Sequence, residues 1–456
     1  MRPLLASALA LFALAAPSTA AAYSLNWETF GPVQWTTGTL YPDMVPATLS
    51  ASDIAGIEAA ADLWTDSMAG VELNPVRGDN GFGVGNFDSE IARVCNDLLT
   101  NGRAGVAWPR WLAGSGWIVE ADIFINDCHA TDTVEHVTAK GDQIAYGGTT
   151  RPLVPLMLHE FGHSIGLGHE DEVYNLMGHE YSFVTANGSS HTWSVGADAG
   201  LGAVVLYGFS SHFDDASLSH HRFQEAAGAY SRHMRTQVLD PLDRPRPEET
   251  TAKEPRYKVW PGGEIQVEFT LEGNGKTGGM ATLDLYLSID DTISTADTLL
   301  DSTLISVAPG MVYTSAYPVT LPSGLSPGNY SVGGILTPHF PDDVSSNNAT
   351  YTHIEVVHAS EPCTASSPCG HREGDCDTNA DCTDGTTCVH NVGADFGASS
   401  LTDICLLPLW DRCTPDLPCA SGEGDCDSGA DCLSGVCQHD VGLDYGYTSA
   451  SLDVCE

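Results

Sequence analysis

Positive charge is what this 456-residue chain has least of: 18 Lys and Arg stand against 60 Asp and Glu, a formal net charge of −42. Such a field argues against nucleic acid and anionic membrane surfaces as partners. The acidic surplus reads as a solvated, salt-tolerant surface, and it favours hard cations such as calcium where carboxylates cluster. Long apolar runs are also missing. The one near the start, Leu4 to Ala16, is too short to cross a bilayer, and no later run has the length, so no membrane insertion is expected. Cysteine is nearly absent before residue 360, with two of the 14, and none follows the first apolar stretch to carry a lipid.

What is present at the N-terminus is an export pattern: Arg2, a short apolar stretch, and small residues around Ser18-Thr19-Ala20 and Ala20-Ala21-Ala22. Residues 1–22 are therefore expected to be a signal peptide, with a mature, secreted chain starting near Ala21 or Tyr23. The remaining 12 Cys crowd the last hundred residues, as a disulfide framework in an oxidising compartment would.

Residues 23–210 alternate strand-like and helix-like patterns. Ile54 to Met68 has apolar residues at helical spacing, with Ser52 or Asp53 to cap it. Strand candidates follow at 81–87, Ala104 to Trp108 and Trp117 to Asn126. Pro155 is expected to open a second helix, and Ala197 to Tyr207 to form a third. Residues 211–256 combine a helical candidate, Leu218 to Arg235, with a Pro-rich linker. From 257 to 358, short alternating segments (Ile265 to Leu271, Ala281 to Ile289, Tyr330 to Leu336) with turn residues between them predict an all-β sandwich. The rest is a tandem repeat, 359–406 and 407–456: Cys363, Cys369, Cys376, Cys382 and Cys405 recur 50 residues later, and Cys388 recurs at 49. Six Cys per module imply three disulfides each, in a connectivity the spacing leaves open.

The chemistry sits in residues 159–169, HEFGHSIGLGH. On a helix, His159 and His163 are at i and i+4, so both rings project from one face at the separation a single metal needs. Glu160 is close enough to reach water at that metal without being a ligand. Gly166 permits the sharp turn that brings back His169 as third ligand. Three imidazoles leave a position open, the arrangement of catalytic zinc, with Glu160 as general base.

This stretch resembles the zinc-binding consensus of the metzincins, H-E-x-x-H-x-x-G-x-x-H. The resemblance implies one catalytic zinc ion and an α+β metzincin catalytic domain, a twisted mixed sheet with an active-site helix. It is followed by an immunoglobulin-like sandwich and small disulfide-rich modules. It also implies a Met-containing turn beneath the ligands, matched by Met177 in Asn175-Leu176-Met177-Gly178. Three further stretches resemble the matrixin branch: Ala51 to Trp64 its first helix, Glu120-Ala121-Asp122-Ile123 its substrate-flanking edge strand, and Asp198 to Gly208 its closing helix. Glu170, directly after His169, is astacin-like. His179 occupies the position where astacins and serralysins carry Tyr, and reads either as an auxiliary near the zinc or as an exposed turn residue. Tyr181 is a candidate oxyanion helper. Cys95 and Cys128 are expected to form one disulfide, and no cysteine-switch latency is expected.

The 257–358 region resembles the bacterial cell-adhesion-related sandwich, through LYLSIDDTISTADTLLDS, GLSPGNYSVGGIL and Asn347-Asn348. That implies a spacer or binding module in a bacterial protein. Asp290, Asp291 and Asp297 are calcium candidates that also suit a plain polar loop. The same holds for Asp375, Asp377 and Asp381 and their repeats Asp425, Asp427 and Asp431. The function expected is a secreted zinc endopeptidase acting on extracellular protein or peptide, with C-terminal modules engaging a cell-surface or matrix component. The alternative is an adhesion or binding protein whose metzincin domain turns over weakly or not at all.

Overall fold

The computed structural model describes residues 23–28, 31–78, 89–95, 99, 103–128, 134–170, 173–178, 184–223, 235–239, 246, 254–259 and 261–357. Beyond 357 it describes residues 363, 365, 369, 375–382, 387–390, 403–406, 426, 429, 432, 436–438 and 454–455. The expected signal peptide and the strand candidate at 81–87 lie outside the described residues.

Helix α1 (Ala51–Thr65) starts one turn earlier than its apolar pattern. Ser50 is the cap: its Oγ accepts from the Asp53 amide, and Asp53 Oδ2 accepts from the Ser50 amide, a reciprocal capping box. Asp53 also holds Arg93 through a 2.5 Å bond to Nη2. The buried stripe of α1 (Ile54, Ile57, Ala60, Ala61, Trp64) packs on helix α2 (Leu153–Ser164), and Trp64 Nε1 donates to Leu158 O at 2.9 Å. Nearly every residue of α2 is buried, so α2 is a core element rather than an amphipathic surface helix. Helix α3 (Ala197–Tyr207) falls where expected.

Beside these helices lies a five-stranded sheet in the order Val76–Arg77, Asp43–Met44, Glu90–Val94, Ile118–Asn126, Gly105–Trp111. All its pairings are parallel except the last, where Gly105–Trp111 runs antiparallel along the edge.

The sandwich follows. One sheet joins Ala216–Ser219, Glu264–Gly273, Val238–Leu239 and Val312–Thr320. The other runs Arg256–Val259, Ala349–Val356, Gly328–Pro338, Gly279–Ser288, Thr298–Val307. Phe269, Leu271, Leu283, Leu285, Val332 and Ile354 fill the space between them. Alternation of apolar and polar residues is what allows one face of each sheet to be buried.

Two expectations are corrected here. The α+β metzincin fold class does not describe the chain. Strand dominates the described residues and is spread over many small sheets, and the three α-helices are only 15, 12 and 11 residues long. Glycine and proline, 47 and 25 in the whole chain, are breakers of helix and suit the turns between short strands. The helix expected from Leu218 is also wrong at its start. Ala216–Ser219 is a strand antiparallel to Gly273–Thr270, because Leu218 gains full burial in the sandwich core. Residues 211–256 thus contribute strands to the sandwich rather than only linking to it.

The two units are in contact. Within the hairpin Val184–Asn187/Ser190–Trp193, Thr185 Oγ1 donates to Leu218 O at 2.6 Å, Asn187 Nδ2 to Ile293 O at 3.0 Å, and Ala186 O accepts from Thr350 Oγ1 at 3.0 Å. In the repeats, Cys363–Cys369, Cys376–Cys388 and Cys382–Cys405 are paired, and Cys426–Cys437 and Cys432–Cys455 repeat the last two of these pairs in the second copy. Cys95–Cys128 is the expected disulfide. No helix among the described residues is long and apolar enough to cross a membrane.

Candidate metal centre

Helix α2 delivers His159 and His163 from adjacent turns. Their Nε2 atoms lie 3.1 Å apart and the rings meet at 88°. The chain then reverses at Gly166, whose φ of +110° suits glycine and whose missing β-carbon leaves room for Val33 O. His169 comes back so that its Nε2 is 3.1 Å from that of His163.

The partners of the other ring nitrogens decide what this cluster is. His159 Nδ1 is 2.8 Å from Leu176 O, and His163 Nδ1 is 2.9 Å from Leu167 O. A carbonyl only accepts, so both Nδ1 atoms carry the proton and both Nε2 atoms of the neutral rings present lone pairs. The 3.1 Å contact between those Nε2 atoms is therefore not a hydrogen bond but two acceptors aimed at one point. A cation there removes the repulsion, and neutral imidazoles whose Nδ1–H is anchored to carbonyls are the usual metal-ligand arrangement. The residues present fit a zinc ion.

Glu160 is buried, and its Oε2 has no hydrogen-bond partner among the described residues. Its carboxyl lies against the edge strand near Gly105, and the Ala107 amide donates to it. Burial pushes the carboxyl up to about 8, against the pull of that amide and of Arg103.

Met177 is buried, and a β-carbon at Gly162 would overlap its Sδ. The turn around it is tied to the ligands twice: Leu176 O orients His159, and the Met177 carbonyl accepts from the Glu170 amide at 3.0 Å. Asn175 holds the turn, accepting from the Met177 amide at 2.7 Å and donating to Asp198 Oδ2 at 3.0 Å. Leu176 O, Leu167 O and Asn175 were not singled out from sequence. The backbone pair carries no side-chain signal, while the Asn175–Asp198 partnership spans 23 residues. His179 and Tyr181 lie outside the described residues.

The expected edge strand is misplaced. Glu120-Ala121-Asp122-Ile123 lies inside Ile118–Asn126, which has a neighbour on each side. Glu120 and Asp122 are buried, and burial beside Glu90 pushes Asp122 up to about 8. The sheet edge next to it is Gly105–Trp111, with exposed Trp108 on it and exposed Leu112 and Trp117 just beyond.

Three of the calcium candidates in the accessory regions are engaged in local turns and caps, while Asp291 pairs with Lys140 and Asp375 accepts from the Asp403 amide. Asp290 Oδ1 accepts from the Thr292 amide and Asp297 Oδ2 from the Ser294 amide; Asp381 Oδ2 accepts from the Thr378 amide. Such turns and caps favour the polar-loop reading. Asp425, Asp427 and Asp431 lie outside the described residues. Besides the three histidines, cysteine-containing groups could hold an ion (Cys376, Cys382 and Cys405; Cys426, Cys432 and Cys437; Cys388 with His390 and Asp403), but their sulfurs are disulfide-bonded and would have to be reduced first.

No protein family matches the sequence, and no curated relative does. Among solved structures, the chain is similar to the CARDB domain of the PF1109 protein from Pyrococcus furiosus, solved in complex with di-metal ions. The identity is 13% and the TM-score 0.20, over 32% of this chain and 90% of that one. It is similar also to β-glucosidase from Listeria innocua (15%, TM-score 0.18) over 33% of this chain, and to β-glucosidase from Kluyveromyces marxianus (12%, TM-score 0.17) over 29%. The chain spans only 17% and 16% of those two enzymes. Similarity at this level carries no activity across.

Proposed function

We propose that the chain is a secreted, zinc-dependent endopeptidase, with His159, His163 and His169 as ligands and Glu160 as the general base. The observation that carries this reading is the convergence of imidazole lone pairs 3.1 Å apart, with two rings held in the right tautomer by backbone carbonyls. A zinc ion held there supplies a Lewis acid for the scissile carbonyl and brings the pKa of its water to about 7.

The chain's own residues do the rest. Glu160 Oε2, a buried oxygen with no hydrogen-bond partner among the described residues, takes a proton from the attacking water and returns it to the leaving amine. The edge strand Gly105–Trp111, beside Glu160, offers its outer side to an extended peptide, with Trp108 exposed along it. Cleavage of a generic protein substrate that stops on chelation and returns with added zinc supports the reading. A fully zinc-loaded chain that cleaves nothing removes it.

The second reading is an adhesion or binding protein with a weak or inactive histidine site. Its support is the sandwich and the disulfide repeats, whose described residues hold no comparable catalytic set. They would engage a cell-surface or matrix component.

A further inference from the structure

Where the sandwich meets the unit bearing the histidines, a cavity of about 30 Å³ is walled by Asp66, Ser67 and Ser194 on one side and by Asp215, Asn274 and Asn347 on the other. That is room for about one or two water-sized particles. Its sandwich wall is chemically unbalanced. Asn274 Nδ2 donates to Asp215 Oδ2 (2.8 Å) and Ser217 Oγ (3.0 Å), and Asn347 Nδ2 donates to the same Asp215 Oδ2 (2.9 Å). These bonds fix which end of each amide is oxygen. They leave Asp215 Oδ1, Asn274 Oδ1 and Asn347 Oδ1 with no hydrogen-bond donor among the described residues. The three residues are 2%, 5% and 1% exposed, so bulk water does not satisfy them.

Buried polar atoms without partners are uncommon in folded proteins, and three on residues that line one cavity call for an occupant. All three are oxygens, which describes the occupant: it must be electron-poor. The charged groups pressing on this wall make the need greater, because they are acidic. Asp342 acts on Asp215 by its charge and, when one of the two carboxyls is protonated, by a hydrogen bond; Glu272, two residues before Asn274, feels Asp215 and Asp198 and has an Oε1 that also lacks a donor among the described residues. Burial pushes Asp215 up to about 7 and Glu272 up to about 8, so without a counter-charge both gain protons near neutral pH.

We propose that this cavity binds a hard divalent cation of the calcium type, held by the side-chain oxygens of Asp215, Asn274 and Asn347. Carboxylate and amide oxygens suit calcium, which accepts flexible coordination, better than magnesium, which demands near-ideal octahedral geometry and keeps several of its waters. The site goes beyond the histidine centre and does not depend on it. Its position makes it a joint between the two units. Glu272 Oε2 accepts from the Ala197 amide at 2.9 Å, at the start of α3, and Asp198 beside it reaches Asn175 of the Met177 turn.

The experiment uses the full-length protein with its zinc content measured. Terbium serves as the probe, its emission excited through Trp193 at the cavity wall and competed by calcium. A saturable, calcium-competed site is expected, together with a melting temperature that rises with calcium. Asp215→Asn is expected to weaken that site by about tenfold or more. Asn347→Asp, which adds a carboxylate, is expected to tighten it and to make folding stability strongly calcium-dependent. Zinc content stays unchanged in both variants. No calcium-competed terbium site, or equal affinity in wild type, Asp215→Asn and Asn347→Asp, overturns the proposal and leaves protonated carboxyls with a trapped water in its place.

Discussion

Met177 Sδ occupies the space that a β-carbon on Gly162 would need. Gly162 lies on α2 between His159 and His163, so the floor of the centre and the helix that carries its ligands fit only because one residue has no side chain. Gly162→Ala is therefore expected to push α2 and the Met177 turn apart. Overpacking of this kind costs about 1–3 kcal/mol. Melting temperature and zinc stoichiometry, measured together, check it; an unchanged melting temperature with full zinc contradicts the tight fit.

Asn175 holds the same turn from below, bridging the Met177 amide and Asp198. Asn175→Ala leaves two buried polar groups without that bridge and should destabilise by about 1–3 kcal/mol. Because Leu176 O orients His159, zinc affinity should fall as well, by about 10- to 100-fold. Competition with a chromogenic chelator reads the affinity directly.

Glu272 gives a pH dependence with a definite sign. Its folded pKa, about 8, is raised above the ordinary 4.5, so the folded state holds the proton more tightly than the unfolded state. In calcium-free buffer this contribution to stability is fully present below about pH 4.5, and is lost as pH rises towards 8. Urea unfolding at pH 5 and pH 8 should show that decline in wild type and a flatter profile in Glu272→Gln. Equal slopes in the two proteins would sink the assignment.

The disulfides of the first repeat are expected as Cys363–Cys369, Cys376–Cys388 and Cys382–Cys405 in secreted material. By the repeat, Cys413 should pair with Cys419. A non-reducing peptide map by mass spectrometry tests this, and any pair crossing between the two repeats contradicts it.

The histidine cluster was readable from sequence because its geometry is local. Helical spacing places His159 by His163, and a glycine places the turn before His169. What sequence could not supply were relations between distant segments. Alternation in Ile118–Asn126 identifies a strand but not its neighbours, and the edge position that the matrixin resemblance implies for 120–123 belongs instead to Gly105–Trp111. The start of the helical candidate Leu218 to Arg235 falls in the strand Ala216–Ser219, which only its pairing with Glu264–Gly273, some fifty residues on, defines. The cap that Glu272 places on α3 spans 75 residues and leaves no local trace. The α+β class failed for a related reason: it followed from a family resemblance carried by a few short stretches within residues 23–208, whereas the described chain is mostly strand.

The most direct measurement compares wild type and Glu160→Gln on one protein substrate, with both proteins shown by elemental analysis to carry the same zinc. Loss of a general base that leaves the ligands intact should reduce cleavage by about 10²- to 10⁴-fold while zinc content stays equal. Equal cleavage by the two proteins, or equal inertness with zinc in place, would contradict a peptide hydrolase built on His159, His163, His169 and Glu160.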